Sequence, residues 1–154
     1  MNLHSVRGFT LVEMVIVILV IGILASFAVP VFGKLKERTV AKEAKANLKL
    51  IAATEKIYKM ERGAYTPCSC GSPSACNNPA TGCNALLKLS LNNENWGYTV
   101  VADPLGLTFV AFAQRRILIG GNYCLYEIQP GYDEPYTRYA GCPDPPSTIP
   151  GPNP

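Results

Sequence analysis

The spacing of apolar and polar residues divides the chain into stretches of different period. From Phe9 to Phe32 nearly every position is apolar, and Glu13 is the sole ionisable residue. At about 1.5 Å rise per residue these 24 residues predict a helix of roughly 36 Å, enough to cross the hydrocarbon of a bilayer. The pattern then turns amphipathic. Val40, Ala44, Leu48, Ile51, Glu55 and Tyr58 recur at steps of three or four, Ala41, Ala52 and Ala53 widen the stripe, and Lys42, Lys45, Lys49, Lys56 and Lys59 fall elsewhere. An amphipathic helix over 33–63 is expected, its apolar face available to a sheet. It should stop at Gly63, a natural residue just past a helix end, with Arg62 in the last turn and Pro67 shortly beyond. Pro30 and Gly33 mark where the helix should bend or locally melt.

Residues 64–95 read as a cysteine-bearing connecting loop with a short turn of helix at Asn84 to Leu89. The period then becomes two. Trp96 to Ala102, Leu107 to Arg115 and Tyr123 to Ile128 are rich in aromatic and β-branched residues. Asp103-Pro104-Leu105-Gly106 and Gly120-Gly121-Asn122 supply the turns between them. This predicts an antiparallel meander of three strands, with Tyr136 to Ala140 a weak fourth. Six prolines in residues 143–154 predict an extended or mobile tail. No internal repeat is visible. The fold class is therefore α+β: a long N-terminal helix, with a membrane half and an amphipathic half, packed on a small sheet of three to four antiparallel strands.

Composition adds bounds. With 154 residues, 48% hydrophobic and 16% charged, the chain has material for one packed domain and is too apolar to be disordered. Charge is uneven along it. Residues 34–62 hold nine Lys/Arg against four Glu, a net of +5, while the part from Gly63 onward holds four against six, a net of −2. A nucleic-acid surface on the basic helix would use such lysines, since phosphate contacts need cations without specific geometry. The four interspersed glutamates favour a solvated helix face instead. Tyr132, Tyr136 and Tyr139 cluster as an adhesive patch or, more commonly for tyrosine, as packing and turn residues.

The six cysteines, Cys68, Cys70, Cys76, Cys83, Cys124 and Cys142, all follow the apolar run, in a region rich in Pro, Gly, Ser and Asn. That is the style of a disulfide framework formed in an oxidising compartment. Fifteen pairings are open to six cysteines. A metal site built from Cys68-Ser69-Cys70 with Cys76 and Cys83 competes with this reading, but structural zinc sites use paired knuckles and only one loose cluster is present. No metal and no cofactor are expected. Catalysis is disfavoured too: the single histidine, His4, precedes the apolar run, and no phosphate-binding loop, zinc-protease helix or nucleophile elbow occurs.

Three kinds of N-terminal segment fit a basic residue before an apolar run. A secretory signal peptide would use Arg7 as its charged region and Ser26-Phe27-Ala28 as its cleavage site, leaving a secreted disulfide-rich binding protein. A glutamate inside the apolar region, and the length of that region, oppose it. A plain anchor would be oriented by Lys34, Lys36 and Arg38 with the soluble part in the cytoplasm, against the cysteines. The third kind is carried by Arg7-Gly8-Phe9-Thr10-Leu11-Val12-Glu13 heading the run to Pro30, which resembles the N-terminus of type IV prepilins and of the related pseudopilins of type II secretion.

The resemblance implies a leader, residues 1–8, cut after Gly8 by a prepilin peptidase that also N-methylates the new terminus, Phe9. It implies a transmembrane and filament-core helix over 9–32, with Glu13 meeting the freed amine of a neighbouring subunit during assembly and Gly22 and Pro30 at the family's helix-loosening positions. Gly63-Ala64-Tyr65-Thr66-Pro67 is similar to the G-x-Y-P signal that ends this helix, with one residue inserted. A head over 64–142 and the tail 143–154 would follow. The implied partners are copies of itself or other pilins, the peptidase, an inner-membrane assembly platform, and membrane lipid before assembly. The implied location is the bacterial inner membrane as precursor, then periplasm or a cell-surface filament. Cys124 and Cys142 are similar to the C-terminal loop disulfide of many type IV pilins, which favours a pilus subunit over a secretion pseudopilin. Cys68 and Cys70 are too close to bond easily with each other and are expected to pair with Cys76 and Cys83, in an order the sequence leaves open. The chain departs from the family in having six cysteines and no acidic calcium loop like that of major pseudopilins near its end.

Overall fold

The computed structural model describes residues 9–117, 123–137 and 141–144, with positions 28–31, 34 and 73 described by their backbone alone. The contacts divide the chain into two units, one up to Glu37 and one from Arg38 onward. Helix α1, Leu11–Arg62, supplies most of the first and the long helix of the second.

In the first unit α1 begins with a reciprocal pair of hydrogen bonds. The Glu13 amide donates to Thr10 Oγ1 at 3.2 Å, and the Thr10 amide donates to Glu13 Oε2 at 3.4 Å. This Thr-x-x-Glu capping box satisfies two of the donors that a helix start leaves without partners. The local melting expected at Pro30 and Gly33 is absent, because the backbone stays helical from Leu11 to Arg62. Proline removes a single N–H from the ladder, and bonds on either side of the gap persist.

In the second unit the apolar stripe of α1 is buried as its period requires. Val40, Ala41, Ala44, Leu48, Ile51 and Ala52 join one core with Trp96, Tyr98 and Val100 of strand β2 (Trp96–Ala102), Phe109, Ala111 and Ala113 of β3 (Phe109–Arg115), and Tyr126 and Ile128 of β4 (Leu125–Ile128). Burial alternates along β3, with 109, 111, 113 and 115 inward, as a sheet with one covered face demands. Two polar anchors fix the helix on the sheet. Trp96 Nε1 donates to the Val40 carbonyl at 2.9 Å, and Asn47 Nδ2 donates to the Tyr98 hydroxyl at 2.7 Å. Gly63, at φ +85°, closes α1 by donating its amide to the Lys59 carbonyl at 2.8 Å.

The sheet is antiparallel with strand order β1-β2-β3-β4, where β1 is Cys68–Cys70. The expected loop over 64–95 is thus corrected: it contains this edge strand, the short helix α2 (Pro73–Cys76) and the short helix α3 (Cys83–Leu86). A three-residue Cys-Ser-Cys strand has no periodicity of its own to read. It is held by pairing with β2, Cys68 opposite Val100 and Cys70 opposite Tyr98, and by two disulfides. The expected helical turn at 84–89 falls at Cys83–Leu86. The strand expected from Leu107 begins at Phe109, since Asp103 accepts the amides of Leu105 and Thr108 and holds the preceding residues in a turn, and the strand expected from Tyr123 begins at Leu125. The fourth strand lies on the β1 side. Tyr136 forms only an isolated bridge to Glu127, and 138–140 lie outside the described residues, as do Gly120-Gly121-Asn122.

The C-terminal segment also differs from expectation at its start. Asp144, placed in the tail by its prolines, is held by Lys45 at 2.7 Å and by the Tyr126 hydroxyl at 2.8 Å, so charge pairing anchors the chain there. The rest of the tail, 145–154, lies outside the described residues.

Candidate assembly surface

Residues 9–27 present apolar side chains on every side of α1. Phe9 is 72% exposed, Leu11 81%, Leu24 64% and Phe27 71%. A helix apolar all round is a helix that other molecules must cover, whether lipid or neighbouring helices. Among the described residues no helix is long and apolar enough to cross a membrane. The span expected over 9–32 includes positions 28–31, whose side chains lie outside the described set, Pro30 among them.

The one carboxylate in this apolar surface is Glu13, drawn to the helix head by the Thr10 amide. Its second oxygen, Oε1, is not used by the capping box. A cation approaching the head of α1 therefore meets an oriented acceptor. The Thr-x-x-Glu spacing was visible in the sequence; what it does locally is to hold the carboxylate against its own helix start. Beyond its chain neighbours and the adjoining helix backbone, nothing stands within 4 Å of where a Cβ on Gly22 would be, which leaves the helix surface open to close approach there. Gly8 lies outside the described residues.

The six cysteines form three bonds: Cys68–Cys83, Cys70–Cys76 and Cys124–Cys142. Those thiols are consumed, so the alternative zinc cluster at 68, 70, 76 and 83 has no donors, and among the described residues no group of three or more His, Cys, Asp or Glu could hold a metal. The loop closed by Cys68–Cys83, which encloses Cys70–Cys76, is tight at Gly82, where a Cβ would stand 2.3 Å from the Cys76 carbonyl oxygen. Glycine is needed there for close backbone approach.

Electrostatic groups in the head tie the sheet and its loops to α1. Lys45 pairs with Asp144 and also lies 5.0 Å over the Tyr126 ring. The Lys45 contact holds the Asp144 carboxyl below the usual carboxylate range, with help from the Tyr126 hydroxyl. Burial, and the anionic Asp144 that accepts its hydrogen bond, push the Tyr126 hydroxyl well up. Lys49 pairs with Glu134, and Lys59 donates to the Leu107 carbonyl at 3.0 Å while lying 4.3 Å over the Tyr65 ring. Thus three lysines of the basic stripe are occupied in holding the head together, and sequence pattern alone had placed them on a solvated face. Tyr136 is buried and its ring lies 5.6 Å from that of Tyr132, a packing role; Tyr139 lies outside the described residues.

Residues 3–29 match the family model described as the prokaryotic N-terminal methylation motif. The chain is 45% identical over 60 residues to a type IV major pilin protein of Myxococcus xanthus, a match covering 39% of this chain and 27% of that protein. It is 33% identical over 116 residues to the type II secretion system core protein G of Pseudomonas aeruginosa, covering 69% of this chain and 72% of the relative. It is 31% identical over 104 residues to core protein G of Escherichia coli, covering 68% and 70%. No solved structure matches the chain at a significant level. An exposed apolar helix headed by the methylation motif, a four-stranded antiparallel head, and relatives matched over more than two thirds of their length together show that the chain belongs to the type IV pilin and type II secretion pseudopilin family.

Proposed function

We propose that this chain is a structural subunit of a type IV pilus-like helical filament, assembled through the helix that begins at Phe9. The observation that carries the reading is the all-round apolar exposure of α1 up to Phe27 with one oriented carboxylate, Glu13, at its head. The precursor holds residues 9–32 in the bacterial inner membrane, with the head in an oxidising space where its disulfides form. A prepilin peptidase cuts between Gly8 and Phe9 and methylates the Phe9 amine. That amine, freed and cationic, meets Glu13 of a neighbouring subunit, and the pair offsets the cost of a lone carboxylate in an apolar setting, roughly 2.5 to 3.5 kcal/mol on insertion scales. Gly22 admits close helix approach, and Pro30 relaxes the helix ladder where subunits pack. An inner-membrane platform extracts each subunit, and the filament then extends through the periplasm to the surface.

The capping box supports a defined sequence for this contact. Within one chain Glu13 Oε2 accepts the Thr10 amide, which leaves Oε1 for the incoming amine. Assembly adds a partner to the carboxylate without first breaking the helix start.

A second reading, a type II secretion pseudopilin, is favoured by the length of the match to core protein G, 72% of the Pseudomonas protein against 27% of the Myxococcus pilin. The Cys124–Cys142 bond near the C-terminus supports the pilus. Intact mass and N-terminal sequencing of the mature protein test the shared basis. A start at Phe9 with one added methyl is expected; a start at Val29 would instead make the protein a secreted product of signal peptidase. Electron microscopy of filaments sheared from wild-type and deletion cells then separates the two systems, because loss of the surface filaments on deletion is the pilus result.

A further inference from the structure

The face of the sheet turned away from α1 is not flat. Register places Gly97 of β2 opposite Gln114 of β3, and Gln114 opposite Leu125 of β4, with Thr99 opposite Phe112 on the next rung. Gly97 leaves its place on the rung without a side chain. Gly71, just past β1, lies beside it, since a Cβ on Gly97 would stand 3.9 Å from the Gly71 Cα. The two glycines open a trough of ≈ 580 Å³ walled by Arg116 and Tyr123.

The chemistry of the walls is specific. The Arg116 side chain donates an Nη2 hydrogen bond to the Gly71 carbonyl, which spans the trough and fixes the guanidinium at its edge. Guanidinium has five N–H donors, and among the described residues neither ion pair involves Arg116. Tyr123 is 59% exposed, an aromatic ring offered to solvent beside the amide of Gln114 and the hydroxyl of Thr99. No carboxylate lines the trough. Glu127, which faces Phe112 across the strands, is buried and outside it.

The geometry points to a binding site in this trough for a carboxylate-bearing saccharide. A sugar ring presents an apolar face that stacks on Tyr123 and an edge of hydroxyls that the Gln114 amide and Thr99 hydroxyl both donate to and accept from. A carboxylate on the ring takes the free N–H groups of Arg116 in the forked geometry that guanidinium favours. A purely apolar ligand would strip water from Arg116, Gln114 and Thr99 without replacing their hydrogen bonds. A cation would meet Arg115 and Arg116 and no carboxylate. A nucleic-acid strand needs a track of cations along its phosphates, and of the two arginines lining this trough Arg115 is buried, which leaves Arg116.

The test uses the full chain, unassembled in detergent micelles and labelled for amide NMR, so that its outcome is independent of filament formation. A hyaluronan tetrasaccharide is the carboxylated probe, chitotetraose the neutral one, and a thymidine oligonucleotide the phosphate control. Saturable shifts at Gly97, Thr99, Gln114 and Tyr123 are expected with the first, at affinity about tenfold or more above the second. Arg116→Gln should erase that preference, and Tyr123→Ala should weaken the carboxylated probe about tenfold. Leu105→Ala, an exposed change elsewhere on the head, should alter neither. Absence of saturable shifts in the wild-type trough overturns the proposal, as do equal affinity for both saccharides or tighter binding of the oligonucleotide.

Discussion

Glu55 on α1 accepts the backbone amide of Thr66 at 3.1 Å and so joins the end of the helix to the start of the head. The side chain is fully buried, and its other oxygen, Oε1, has no hydrogen-bond partner. Burial outweighs the Thr66 bond and raises the Glu55 carboxyl from 4.5 to about 7, and the nearby Tyr65 hydroxyl is raised as well, by burial and by Glu55 itself. A proton on Oε1 removes the charge that burial opposes.

Stability should therefore depend on pH through this residue. In the unfolded chain Glu55 loses its proton near 4.5, in the folded chain near 7. Between those values the folded state holds the extra proton, so this contribution to stability falls as pH rises and is fully lost above about 7. The size is at most about 3 kcal/mol. Thermal melts of the Glu55→Gln variant and the wild type from pH 5 to 8 check it: the wild type should lose Tm relative to the variant across that window. Parallel curves would place the proton elsewhere.

Asp144 works in the opposite direction. Lys45 holds its carboxyl below the usual range, so its contribution is present above the unfolded value and lost as pH falls through the folded one. Asp144→Asn should loosen the segment around Cys142 and flatten the acid side of the stability curve by less than about 1 kcal/mol, because both partners are partly exposed. Hydrogen exchange at residues 141–144 gives the readout.

Glu13→Ala removes a charge from an apolar surface and should leave insertion and the melting of the head unchanged, while filament yield drops sharply. Thr10→Val removes the hydroxyl that accepts the Glu13 amide but keeps the carboxylate. It should cost the helix start about 1 kcal/mol and reduce assembly less than the loss of Glu13. Quantifying sheared filaments against total cell-associated subunit measures both. Normal filament levels with Glu13→Ala would remove the pairing role.

Gly8→Val should block maturation, since the peptidase site accepts no side chain at that position. The uncut protein keeps its leader and runs as the larger species on a gel, with the Phe9 nitrogen locked in a peptide bond. An unchanged mobility shift would refute the cleavage site.

Non-reducing peptide mapping should return the pairs 68–83, 70–76 and 124–142 without free thiol. Replacing Cys124 or Cys142 opens an 18-residue loop and should cost about 3 kcal/mol, lowering abundance more than targeting. Gly82→Ala should disturb the other two bonds together, because its methyl would collide with the Cys76 carbonyl.

Much of the architecture follows from local pattern. The apolar run from Phe9, the three-to-four-residue stripe from Val40, the stop at Gly63 and the strand Trp96–Ala102 are each encoded by periodicity within a few neighbouring residues. The motif around Glu13 was equally legible, for it is a contiguous string with its own chemistry. What the chain's periodicity did not carry was anything set by residues far apart. Strand β1 exists because β2 lends it a ladder and two disulfides pin it, and Cys-Ser-Cys alone has no preference strong enough to announce a strand. Cys68 chose Cys83 over Cys76 because the parallel bridge from Ser69 to Gly82 brings α3 against β1. Lys45 and Lys49 read as solvated cations until the fold brought Asp144 and Glu134 to them. Glu55 read as one more position of a stripe, and only burial of that stripe, together with the turn of the chain at Gly63, turned it into a carboxyl whose proton matters.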